Sequence, residues 1–401
     1  MNLFYKMYCR AFQLCFKIAL PILPYRDPKI LNSLKEIGTT LKNNGHNNVI
    51  IVTDKTINKL GLIEPLIDDL RSKEIKYFIY DNVVANPTTD NVYEALKAYQ
   101  DNGCEAIISF GGGSPMDCAK ALGALVAKPK ADLNKLKGIL KVRKKIPTLI
   151  AIPTTAGTGS EATLAAVIVD SKTRHKYAIN DFPLIPKYAV LDETVTLSLP
   201  KSIIATTGMD ALTHAIEAYI GRSGNKKTSK DAMDAFKLII DNIKDSYDNL
   251  NVLSKKNMLM ASHLAGRAFS KAYVGYIHAI AHSLGGKYNI PHGLANAIIL
   301  PYVLKEYGNT IYKKLYKLGL NANLFKSDRA IKDGALIVIN KIEELNNYFN
   351  IPKYIKEIKR EDIDELVGYA LKEANPLYPV PKLWDKKQMK KMYYIIGDIN
   401  E

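Results

Sequence analysis

Little in this sequence points to an oxidising setting. Only four cysteines occur in 401 residues, Cys9, Cys15, Cys104 and Cys118, and no two form a Cys-x-x-Cys pair. That excludes a disulfide scaffold, a zinc ribbon and a redox dithiol, and a cytoplasmic location is expected. No run of ~20 uninterrupted apolar residues is present, so no membrane-spanning helix is expected. The apolar stretch Ala11–Tyr25 is broken by Lys17, Pro21 and Pro24, and no small-residue cleavage site follows it. It reads as a short helix packing on the body or on another subunit, with a membrane-surface helix as the minority alternative. Acids are scarce against bases: 40 Asp and Glu face 56 Lys and Arg, a net charge of +16. Such a balance raises nucleic acid or an anionic membrane surface as partners. The densest basic run, Lys128–Lys145, carries eight basic residues and one acid, Asp132. No helix-turn-helix, zinc finger or RNA-binding signature accompanies it, so no nucleic-acid partner is expected.

What is present reads as two domains. With 47% hydrophobic and 24% charged residues the chain has a globular composition. Short β-branched runs, Val49–Thr53, Tyr77–Tyr80, Glu105–Phe110 and Thr148–Ile152, alternate with amphipathic segments such as Ile57–Glu74 and Asn91–Asn102. That alternation predicts a parallel sheet covered by helices. Leu164–Val169 and Lys176–Ile179 read as a hairpin, and Tyr188–Leu191 as a further strand. From Pro200 onward the spacing is helical: Ser202–Ile220, Thr228–Leu250, Leu253–Ser270, Val274–Gly285, Leu294–Tyr307, Lys326–Leu345 and Ile363–Leu371. The expected division is an α/β domain over residues 1–198 and an all-helical domain over 199–401. The cleft between two such domains is a favoured place for a ligand.

Two loops suggest a nucleotide. Ser109-Phe110-Gly111-Gly112-Gly113-Ser114-Pro115-Met116-Asp117 leaves a strand and enters a helix. Glycines admit a close ligand, and helix-start N–H groups favour an anion. Ser114 is the expected helix cap and Pro115 the first-turn residue. The run is not G-x-G-x-x-G, and alone it is equally well a tight turn. Pro153-Thr154-Thr155-Ala156-Gly157-Thr158-Gly159-Ser160-Glu161 follows the next strand. Both loops would share the carboxyl edge of the sheet, where such folds bind ligands, and Thr158 is counted among the cofactor contacts. Asp54 ends the first strong strand. A carboxylate there would bond a ribose 2′-OH and favour NAD over NADP, although position alone favours a helix cap.

Histidines supply the second signal. Asp210 and His214 lie four apart, as do His278 and His282, and His292 follows on a Pro-His-Gly turn. Residues i and i+4 share a helix face. One carboxylate with several imidazoles suits Fe(II) or Zn(II), and an open coordination position marks a catalytic metal. His46, His175 and His263 lack such a setting.

Gly111–Asp117, Pro153–Glu161, Gly208–Glu217 and His278–Gly293 together closely resemble the iron-containing (group III) alcohol dehydrogenases. The resemblance covers the chain from about Asp27 onward. It implies the dehydroquinate synthase-like fold: a Rossmann-like α/β dinucleotide-binding domain and a helical metal domain. It implies metal ligation by Asp210, His214, His278 and His292, with His282 near the nicotinamide as a catalytic proton relay and His278 also acting in catalysis. It implies that Asp54, Asn86, Gly112, Gly113, Ser114, Asp117, Thr154, Thr155 and Lys176 line the cofactor cleft. The function so implied is hydride transfer between a small primary alcohol or diol and NAD, with NADP as the other cofactor and Fe2+ or Zn2+ as the metal. A lyase, synthase or polyol dehydrogenase on the same fold is the alternative. A homodimer or larger homo-oligomer is expected. The apolar N-terminal extension is longer than in many members.

Overall fold

The computed structural model describes residues 1–249 and 251–400. The chain divides into two compact units, Pro24–Leu199 and Met1–Leu23 with Pro200 onward. The first 23 residues thus group with the helical unit, whereas the sequence reading placed them with the α/β half.

The α/β unit follows from its β-branched runs. Its strands are β1 (Lys29–Leu31), β2 (Asn48–Val52), β3 (Lys76–Tyr80), β4 (Ala106–Gly111), β5 (Gly138–Ile139), β6 (Thr148–Pro153), β7 (Ala165–Val169), β8 (Lys176–Asn180) and β9 (Tyr188–Val190). Six of them form a sheet in the order β1-β9-β6-β4-β2-β3, and every pairing in it is parallel. Alternation sends Val49, Ile51, Ile108 and Phe110 to one face, with Ile63, Leu66 and Leu70. Ile50, Val52 and Ile107 meet Val92, Leu122 and Leu125 on the other. Both faces are covered, which is why these strands read as continuous apolar runs. β5, β8 and β7 form a smaller sheet, in which β7 and β8 are the expected antiparallel hairpin.

Local differences have local causes. The segment 57–74 is not one helix but two, Lys55–Lys59 and Glu64–Ser72. Gly61 at φ +68° and Pro65 separate them. Ser114 does not cap its helix: Gly112 holds the cap position of Gly113–Ala127, and Ser114 lies inside the first turn.

In the helical unit, the expected Thr228–Leu250 helix runs over Lys226–Asp248, and its last expected residue, Leu250, lies outside the described residues. Helices Asn309–Asn321 and Lys386–Ile396 went unread in the sequence. Their buried residues, Ile311, Leu315 and Leu318, and Met389, Met392, Tyr393 and Ile396, do carry helical spacing. No helix among the described residues is long and apolar enough to cross a membrane.

Candidate functional site

Three helices of the helical unit converge on one point. Asp210 and His214 lie one turn apart on Lys201–Ile220, His278 sits in the first turn of Tyr276–Tyr288, and His292 opens His292–Tyr307. Each offers one ligand-type atom, and the four atoms lie within 4.8 Å of one another. Asp210 Oδ1 stands 3.8 Å from His278 Nε2 and 3.6 Å from His292 Nε2. Asp210, His214 and His278 are buried and His292 is half-buried. Glycines permit the approach. A Cβ on Gly293 would stand 2.4 Å from the Thr206 carbonyl oxygen, so any side chain there would push the third helix away from the first.

The surroundings fix the ring orientations. His278 Nδ1 lies 2.6 Å from Glu217 Oε2, and the same carboxylate accepts from the N–H groups of Gly275 and Ile277 at 2.9 and 3.0 Å, which aligns it as an acceptor for the ring N–H. With Nδ1 as the donor, Nε2 carries the lone pair. That Nε2 is buried without a hydrogen-bond partner among the described residues. A buried imidazole nitrogen aimed at a carboxylate with no proton between them is costly unless a cation takes the space. Burial, then the three neighbouring histidines, hold His278 well below the ordinary imidazole range, so it is neutral and fit to ligate. Burial pushes the Glu217 carboxyl up to about 8, against the pull of its backbone N–H donors. Asn296 Nδ2 lies 2.7 Å from Asp210 Oδ1 and 3.1 Å from His292 Nε2, a further sign that acceptor atoms converge there. The donor set of one carboxylate and three imidazoles fits a divalent transition metal.

His282 stands beside this group and outside it. Its ring stacks on His292 at 5.1 Å, and its Nδ1 pairs with Glu373 Oε1 at 2.6 Å. Glu373 Oε1 also accepts from the Tyr378 hydroxyl at 2.7 Å. Burial raises the Glu373 carboxyl, but the neighbouring His282 ring and the hydrogen bonds from His282 and Tyr378 outweigh it and hold it below the ordinary range.

The loop residues gather in the α/β unit, at the carboxyl edge of β2, β4 and β6. Gly111 has φ +153°, and a Cβ there would strike Pro115 at 2.6 Å. A Cβ on Gly112 would stand 3.4 Å from Thr155 Oγ1, and one on Gly113 3.2 Å from Thr158 Cγ2, so the two loops touch. Thr154 N–H donates to the Gly111 carbonyl at 3.0 Å. Lys176 Nζ donates to Asn86 Oδ1 at 2.7 Å, and Asn86 N–H to Ser114 Oγ at 3.3 Å. Asp54 Oδ1 accepts from the N–H groups of Thr56 and Ile57 at 2.9 and 3.0 Å, so it does cap a helix.

Four residues with structural consequences escaped the sequence reading: Glu217, Asn296, Glu373 and Lys120. Lys120 is fully buried, and its Nζ donates to Ser160 O, Ser160 Oγ, Thr163 Oγ1 and Ala165 O, all at 2.7–2.9 Å. Ser160 Oγ in turn donates to Asp117 Oδ1 at 3.2 Å. Burial lowers Lys120 to about 8 and raises Asp117 to about 6. The second loop is thereby pinned to the helix that carries the first. A lysine three residues after Asp117, on an otherwise apolar helix, is the signal that would have found it.

Comparison with known proteins identifies the family. The profile described as "Iron-containing alcohol dehydrogenase" matches residues 31–193, and that described as "Fe-containing alcohol dehydrogenase family, C-terminal" matches residues 204–396. The 1,3-propanediol dehydrogenase of Citrobacter freundii is 33% identical over 367 residues, 90% of this chain and 94% of that protein. Alcohol dehydrogenase 4 of Schizosaccharomyces pombe is 38% identical over 354 residues, 86% of this chain and 82% of that protein. The solved alcohol dehydrogenase from Oenococcus oeni matches with a TM-score of 0.88 at 32% identity, covering 93% of this chain and 100% of that one. With both halves matched and relatives similar over most of its length, the chain belongs to the iron-containing alcohol dehydrogenase family and is an oxidoreductase.

Proposed function

We propose that this chain moves a hydride between a small primary alcohol or diol and the nicotinamide of NAD, with Asp210, His214, His278 and His292 holding a divalent metal, iron foremost. The convergence of those four ligand atoms within 4.8 Å carries the reading. When bound, the metal supplies Lewis acidity toward an alcohol or carbonyl oxygen, and the nicotinamide accepts or returns the hydride.

The chain's own residues do the rest. Glu217 holds the His278 ring with Nε2 facing the ligand group. Glu373 accepts from His282 Nδ1, which leaves Nε2 as the atom that takes the alcohol proton or returns it. The Gly111–Ser114 turn offers helix-start N–H groups to the pyrophosphate, and Thr154, Thr155 and Thr158 offer hydroxyls beside it. Asn86 and Lys176, bonded to each other, flank that turn. Asp54 puts a negative charge at the end of β2, which suits a ribose 2′-OH and repels a 2′-phosphate. The substrate reading draws on the relatives, one of which is named for 1,3-propanediol.

Initial rates with ethanol, butanol and 1,3-propanediol, run with NAD and NADP, and with lactaldehyde, run with NADH and NADPH, on iron- and zinc-loaded protein, test the proposal. Net NADH formation with NAD ahead of NADP is expected, and Asp54→Ala should narrow that gap. Product formation without net NADH would assign the site to a lyase or synthase instead.

A further inference from the structure

The Leu3–Ala19 helix sits on the helical unit by an unusual face. Its buried residues are Cys9 and Gln13, joined by Leu20 just beyond its end. Much of the attachment is polar. Arg10 donates to the carbonyls of Val380 and Pro381 at 2.8 and 3.1 Å, and Gln13 Nε2 to those of Pro376 and Tyr378 at 3.2 and 2.8 Å. Phe16 adds an edge contact to the Tyr273 ring at 5.0 Å.

The opposite face is apolar and open. At about 100° per residue, Leu3, Leu14, Met7, Ile18, Phe4, Tyr8 and Phe12 fall on one arc of about 180°. Leu3 is 70% exposed, Phe4 83%, Ile18 68% and the adjoining Ile22 85%. Contiguous apolar surface on this scale marks an interaction site. Lys6 and Lys17, both exposed, line one flank of the arc, and the first 26 residues hold no acid. Two copies meeting helix to helix would bring like charge to like charge, since the helix offers no carboxylate. An anionic lipid surface supplies both missing complements: a medium for the arc and counter-charge for the flank. Tyr5, Tyr8 and Phe12 suit the headgroup boundary, where aromatic rings bury an apolar body beside water.

We propose that the outward arc of this helix rests on an anionic lipid surface and holds the enzyme there peripherally. The inference is independent of the substrate reading. Cosedimentation of the full metal-loaded chain with vesicles of phosphatidylcholine, alone or with about one-third phosphatidylglycerol, tests it. The chain should pellet with the mixed vesicles, and less so as salt rises past about 0.15 M. The double variant Phe4→Glu with Met7→Glu should bind at least about tenfold more weakly and keep its activity in buffer. Lys6→Gln and Lys17→Gln should each cost about fivefold. Wild-type protein that stays in the supernatant with both vesicles would overturn the proposal. So would binding that the Phe4/Met7 variant retains in full. A wild-type oligomer that this variant converts to monomer, with no vesicle binding, would assign the arc to a second copy and overturn it equally.

Discussion

Lys120 shows how much one buried side chain holds. Its ammonium bridges the first-loop helix to Ser160, Thr163 and Ala165. Lys120→Met keeps the bulk but orphans buried acceptors, each at a cost of about 1–3 kcal/mol. The second loop should then loosen, raising the KM for NAD by about tenfold while kcat stays within about twofold. A kcat loss with an unchanged cofactor KM would show that the lysine acts elsewhere. Glu217 acts at the other site by setting the His278 ring. Glu217→Gln should weaken metal affinity by about 10–100-fold without removing the site, as a metal titration would read. Neither residue was read from the sequence, whereas the group Asp210, His214, His278 and His292 that the fold brings together was. Those four announce themselves by spacing along their own helices. Glu217 meets His278 61 residues away, Glu373 meets His282 91 away, and Lys120 meets Ser160 40 away. Only the folded chain shows that these charges do not face water.

At the scale of elements, legibility follows the range of the cause. β2, β4 and β6 were readable because both faces of each are buried, leaving unbroken β-branched runs. β1 and β5, three and two residues long, have no period to read. The β7–β8 turn illustrates a local device. Asp170 Oδ1 accepts from the N–H groups of Lys172 and Thr173, and Oδ2 from Asn134. The Thr173 and Asn134 bonds lead in pulling its carboxyl down to about 2 from the ordinary 3.8. A depressed folded value contributes stability above the unfolded value and loses it as pH falls toward the folded one. Asp170→Asn should therefore be less stable than wild type at pH 7. That gap should hold down to about pH 5 and close between 3.8 and about 2. Urea unfolding of both proteins at several pH values checks this; a gap that widens on acidification would contradict it.

For the whole molecule, the net charge and the four-residue group proposed to hold a metal are the two organising features. The excess of +16 first pointed to polyanions. The fold gives part of it local work: Lys120 and Lys176 organise loops, Arg10 fastens the first helix to the body, and Lys6 and Lys17 flank an open apolar arc. The grouping of the first 23 residues with the helical unit was beyond sequence reading, because it rests on carbonyls some 365 positions away. Metal that binds only the folded chain stabilises it by mass action. Chelation should lower the wild-type melting temperature and leave that of His278→Ala unchanged, as calorimetry would record.

The most direct measurement pairs metal content with turnover. Wild type and His278→Ala are purified alike, their iron and zinc are counted by mass spectrometry, and NADH formation from 1,3-propanediol is followed on the same samples. The expected result is about one ion per wild-type chain, with metal and activity lost together in the variant. A metal-free chain that turns over at the full rate would contradict the account.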